Sequence, residues 1–211
     1  MADFLFPDVF NNNFKLLKQS ASRDVLARKF TPLMPLHITQ RLIKNSFAEA
    51  FGSDQPMELP QLLTFLDAQF ADSSIEPGSD PARWALVNSV TTLALRLKTA
   101  PGSEADMSVI SGAFYQNATR VIPDLILQTP SLLSIQALVS IAMFAKEIPD
   151  ATAFSALATN VSLQLELLSQ KQPSVDELND TKREAERLAL CNISVIMARF
   201  AAQISLWSPE T

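Results

Sequence analysis

The residues able to do chemistry are few. The chain carries one histidine and one cysteine, His37 and Cys191, with a single tyrosine, Tyr115, and two tryptophans. His37 falls in the first turn of a predicted helix after Pro35 and can act as a general base. No serine, cysteine or metal-binding partner stands beside it in the sequence, and a structural histidine is the default reading. Cys191 sits between Leu190 and Asn192 in an apolar run with no basic residue next to it, so a buried, unreactive thiol is expected. Trp84 and Asn88, one helical turn apart, together with Tyr115, can offer aromatic walls and hydrogen bonds to a small molecule. Core packing is the competing reading. Asn192, Arg199 and Gln203 share one helix face at seven- and four-residue spacing. Such a strip either lines a cavity and holds a carboxylate or carbonyl, or faces solvent.

Other chemistry is excluded more firmly. With four glycines the chain holds no GxxxxGK[ST], GxGxxG or GxSxG, and with one histidine no HExxH. One cysteine rules out an internal disulfide and any conventional Cys/His zinc site, and no metal site is expected. Acidic pairs such as Asp176-Glu177 lack the spacing of metal-dependent terpene chemistry, so no cofactor is expected. A net charge of −5 gives no counterion-release drive toward nucleic acid, and direct DNA binding is not expected. The N-terminus MADFLFPDVF has no basic segment of a secretory signal, which points to an intracellular, reducing compartment, nucleus or cytoplasm. The longest apolar run, Leu188 to Trp207, contains Asn192, Arg199 and Gln203 and reads as a core helix rather than a membrane span.

The elements that must position these residues are helical. At 211 residues and 47% apolar, the chain is long enough for one domain, and no period-2 run bounded by hairpin turns occurs. An all-α, single-domain multi-helix array around a buried central helix at about 131–147 is predicted. Leu132, Leu133, Ile135, Leu138, Val139, Ile141, Met143 and Phe144 occupy every side of that helix, so others must wrap it. Thr129 is the expected N-cap, with Pro130 at the first helical position and Pro149 beyond the end.

Residues 1–32 read as an N-terminal helical arm, with Phe10, Phe14 and Leu17 on one face and Ser22 capping a short second segment. Thr31 to Pro35 is a linker, because each proline holds the residue before it out of the helical region. Residues 33–211 form the domain. A helix from Leu36 to Phe51 ends at Gly52, a short helix follows Pro60, and Asp80-Pro81 opens another with Leu86, Val90, Leu93 and Leu97 on one face. Ser103 with Asp106 resembles a capping box before a helix carrying Met107, Ile110, Phe114, Asn117 and Val121, which Pro123 breaks. Asp150 caps a helix with Phe154, Leu157, Val161, Leu165 and Leu168 inward, and Ser174 to Glu177 is a capping box before a last long helix continuous from about 183.

Leu36 to Phe47, Pro60 to Phe70, Asp80 to Leu97 with Trp84, and above all Tyr115 through Phe144, where "AFYQNATR" leads into "TPSLLSIQALVSIAMF", resemble the middle homology region of fungus-specific transcription factors. That regulatory domain usually follows a zinc-cluster DNA-binding module. The resemblance covers roughly residues 33 to 170 and rests on apolar positions. Past it, Leu167-Leu168-Ser169-Gln170 and Glu186-Arg187 stand where the family tends to carry other motifs, and neither the zinc cluster nor the family's C-terminal helices are in this sequence.

The resemblance implies a regulatory domain that binds an apolar small molecule or a protein partner. The alternative is a cofactor-free cyclase or pericyclase of fungal secondary metabolism, built on a truncated regulatory scaffold with a hydrophobic pocket. Loss of the C-terminal helices is expected to leave part of the central core uncovered, to be closed by a homodimer or opened as a pocket. In a pocket, Asn192 and Arg199 would be the polar anchors and Trp84 and Tyr115 the walls.

Overall fold

Every regular element among the described residues is a helix in the computed structural model, which describes residues 29–52, 54–71, 79–148, 150–170 and 177–207. The helical arm expected before residue 29, Pro149 and the capping serine at 174 lie outside them. The helices run α1 (Leu36–Phe51), α2 (Leu59–Ala71), α3 (Pro81–Leu97), α4 (Glu104–Thr119), α5 (Ile122–Leu127), α6 (Leu132–Glu147), α7 (Ala151–Ser169) and α8 (Glu177–Trp207). The all-α reading and the central helix at 131–147 both hold.

Local chemistry sets most of the boundaries. Asp80 accepts a hydrogen bond from the Arg83 amide, with Pro81 opening α3, and Asp150 accepts from the Ala153 amide at the head of α7. Gly52, at φ 53°, closes α1, and Gly102, at φ 88°, turns the chain between α3 and α4; both are conformations that side chains oppose. Two expected caps differ. Ser103 makes no side-chain cap bond. The N-cap of α6 is Ser131 rather than Thr129: the Ser131 hydroxyl accepts from the Ser134 amide while the Ser134 hydroxyl accepts from the Ser131 amide.

The core has two axes, not one. In α6 every residue from Ser134 to Ala145 is buried except half-buried Met143, as its sequence demands. In α3 the same holds from Pro81 to Leu95, with only Arg83 partly exposed. The second case was not visible as a face, because Ser89, Thr91 and Thr92 look outward-going by polarity. Their hydroxyls donate instead to the Leu86, Val87 and Asn88 carbonyls of their own helix at 2.7–3.0 Å, so they enter the core already satisfied. Helix α3 packs on α1, α2, α4 and α6, and α6 packs on α3 and α7, with α8 laid over α7.

Two buried glutamines tie the layers together. Gln136 of α6 donates to the Pro56 carbonyl at 3.1 Å, and Gln164 of α7 donates to the Leu125 carbonyl at 2.9 Å. On α4 the buried residues are Ser111, Phe114, Asn117 and Ala118, whereas Ile110 is exposed. Phe114 and Asn117 are buried as expected, and the helix is turned so that Ser111 and Ala118 complete the buried face in place of Ile110.

Candidate functional site

Two places among the described residues bring polar groups together. The first lies between α3 and α4 and is filled by the chain itself. Trp84 and Asn88 project one turn apart from α3, and the Asn88 amide is fixed by donating to the Trp84 carbonyl at 2.8 Å. Its oxygen accepts from the Asn117 amide of α4, also at 2.8 Å, and both asparagines are fully buried. Asn117 then turns its amide to the backbone of residues 29–35, which have no regular structure. Its Oδ1 accepts the Thr31 N–H at 2.9 Å and its Nδ2 donates to the Thr31 carbonyl at 2.8 Å. Arg120 donates to the Lys29 carbonyl, and the Phe30 ring meets Trp84 edge-on at 5.5 Å.

The second place is an open recess of about 270 Å³ where the C-terminal ends of α1, α3 and α6 converge. Its floor is apolar, from Phe51, Leu93 and Met143, and its rim is charged. Three helix C-termini concentrate partial negative charge there, which the cations Arg96 and Lys146 in the last turns of α3 and α6 offset. Arg96 donates to the Glu147 carbonyl at 2.7 Å, Lys98 pairs with Glu49, and Lys146 lies 4.7 Å over the Phe200 ring. The rim thus presents both signs of charge around an apolar base.

The residues singled out in the sequence divide between these places and the surface. Trp84 and Asn88 belong to the first, and Asn117, read only as a core position, is its central group. Tyr115 points elsewhere: it is half-buried against the Phe144 ring at 4.7 Å. Asn192, Arg199 and Gln203 are all exposed on α8. Cys191 is half-buried rather than buried, one turn beyond Arg187. His37 is exposed and borders a shallow depression on α1 with Arg41 and Lys98. The central core, expected to be left partly uncovered, is instead enclosed from Ser134 to Ala145 except for half-buried Met143; the exposed apolar side chains of Leu163 and Leu167 on α7 and Leu188, Val195 and Ile196 on α8, 42–52% exposed, lie outside it.

Tyr115 gives a pH dependence. Burial first, and the Asp150 carboxylate second, push its phenol above the ordinary value of 10.0. The folded chain therefore keeps a proton that the unfolded chain has lost. This contribution to stability is complete below pH 10.0 and disappears as pH rises through the folded value. We expect stability to fall more steeply above that pH in the parent than in Tyr115→Phe, with tyrosinate absorbance appearing later in the native chain than in denaturant. Ionisation at the ordinary value in the native chain would contradict the assignment.

Comparison of the chain with protein-family models, curated proteins and solved structures gives no match. Among the described residues the fold is an all-α multi-helix array. Among the described residues no helix is long and apolar enough to cross a membrane.

Proposed function

We propose that the chain is a regulatory binding domain of the type represented by the middle homology region of fungus-specific transcription factors, and that it does not itself hold DNA. It takes an apolar small molecule, or an apolar side chain of a protein partner, in the recess at the C-terminal ends of α1, α3 and α6. The recess carries this reading: an apolar base of Phe51, Leu93 and Met143 beneath a rim of both charges suits a small apolar body with one polar edge. The segments resembling the family fall on consecutive helices, α1 through α6, and the net charge of −5 favours partners other than nucleic acid.

The test is a panel of apolar metabolites screened by thermal unfolding of the parent and of Met143→Trp. Met143 is half-buried at the floor, so tryptophan there fills the recess without entering the closed core. A compound present at one hundred times its Kd stabilises the parent by about 2.7 kcal/mol, and the variant is expected to lose that gain while still unfolding cooperatively. A panel with no stabilising member, or a full gain retained in the variant, would remove the recess as the site. Conversion of a bound compound to an isomer, of the same mass and therefore followed by chromatographic separation and NMR, would move the reading to the cofactor-free cyclase.

A further inference from the structure

The α3–α4 groove rests on observations separate from the recess. Residues 29–31 reach α4 across 86 residues of sequence and are held there by their backbone, not by a polar side chain. A side-chain amide has the same donor and acceptor as a peptide group, and Asn117 uses both on Thr31, as a neighbouring strand would. Arg120 adds the Lys29 carbonyl. Such contacts are indifferent to the identity of the residues they read. The side-chain contact that discriminates is Phe30 on Trp84.

The reader is built independently of what it reads. Asn117 is oriented by Asn88, and Asn88 by the Trp84 carbonyl, in a fully buried chain of hydrogen bonds that does not include the segment. Trp84 adds an observation of its own: the residue is only 6% exposed, and among the described residues its indole N–H has no hydrogen-bond partner. Buried indole donors normally find an acceptor, and the segment in place does not supply one. Pro32 and Pro35 limit the segment itself, since a proline has no N–H to continue the pairing.

We infer that the groove between α3 and α4 is a binding site for an extended peptide segment, and that Lys29–Thr31 is its occupant in cis, displaced when a partner segment binds. The partner carries an aromatic side chain for Trp84, followed by a residue other than proline whose N–H and C=O pair with Asn117. It also brings an acceptor within reach of the Trp84 indole. An asparagine amide this deeply buried cannot be left unpaired, so the exchange swaps one backbone for another.

The experiment uses the full chain and a labelled peptide of residues 29–35, with binding read by fluorescence anisotropy. In the double variant Phe30→Ala/Thr31→Pro, the cis segment loses its ring contact and the N–H that Asn117 accepts. This variant is expected to bind the peptide about tenfold or more tighter than the parent, whose groove is closed for most of the time. A control peptide with proline at the threonine position should not bind. Equal affinity of the variant for the two peptides, or of parent and variant for the unmodified one, would overturn the proposal. Should the double variant fail to fold, hydrogen exchange on the parent decides. The Thr31 amide is expected to exchange faster with excess unmodified peptide than with the proline control, and an unchanged rate would overturn the inference.

Discussion

Replacing Leu138 by alanine is expected to remove about 2–5 kcal/mol of stability, a large share of what a domain this size holds. Leu138 is fully buried at the middle of α6, between neighbours that are themselves buried on every side, Ala137, Val139 and Ile141 among them. A side chain so enclosed leaves a cavity that its surroundings fill only in part, so the lost transfer energy and the lost contacts add. Val195→Ala supplies the contrast: the same kind of truncation on a residue 51% exposed on α8 should change stability by no more than about 0.5 kcal/mol. Denaturant unfolding of both variants, with unchanged dependence on denaturant, is the measurement. A loss under about 1 kcal/mol at Leu138 would mean that α6 is not enclosed as described.

How much of this was legible in the sequence depends on how each residue declares itself. Asp80-Pro81, Asp150 and Gly52 act through their own backbone and neighbours, and the helix ends they mark lie where expected. The enclosure of α6 was legible because its residues are apolar all round. That of α3 was not, because Asn88, Ser89, Thr91 and Thr92 carry polarity that they satisfy within their own helix, and periodicity counts such residues as outward-facing. The same blindness affected α4, where Ser111 is buried and Ile110 exposed. The Ser131–Ser134 cap was missed because a serine, not a glutamate or glutamine, reaches back to the N-cap amide.

For the candidate sites, helical spacing tells which residues share a face but not what lies beyond that face. Trp84 and Asn88, singled out as a turn-spaced pair, do lie together, with Asn88 bonded to the Trp84 carbonyl and to Asn117. Asn192 and Arg199 have the same spacing logic and lie in solvent, since a polar strip on one face looks alike whether a cavity or water lies beyond it. Two parts carried no sequence signal. The pairing of Thr31 with Asn117 is a contact between a linker and a helix face far along the chain, and the recess exists only because three helices end at one place.

The second large effect is expected at the asparagine pair, and its form separates a network from two independent bonds. Asn117→Ala leaves three groups without their partner: the Thr31 N–H, the Thr31 carbonyl and Asn88 Oδ1. Because a buried polar group left unsatisfied costs about 1–3 kcal/mol, a loss on the order of 3 kcal/mol is expected, the Thr31 groups being partly relieved by water. Asn88→Ala removes the bond to the Trp84 carbonyl and the acceptor facing Asn117, but Asn117 keeps both contacts to Thr31, so a smaller loss, on the order of 2 kcal/mol, follows. In the double variant, the group each single substitution strands on the other residue is gone. The combined loss should therefore fall short of the sum by about 0.5–3 kcal/mol, the range seen for residues sharing one hydrogen-bond network. Strict additivity in denaturant unfolding would show that Asn88 does not hold Asn117 in place. Asn117 would then have to be oriented by Thr31 alone, and the amide could not be set before the segment arrives.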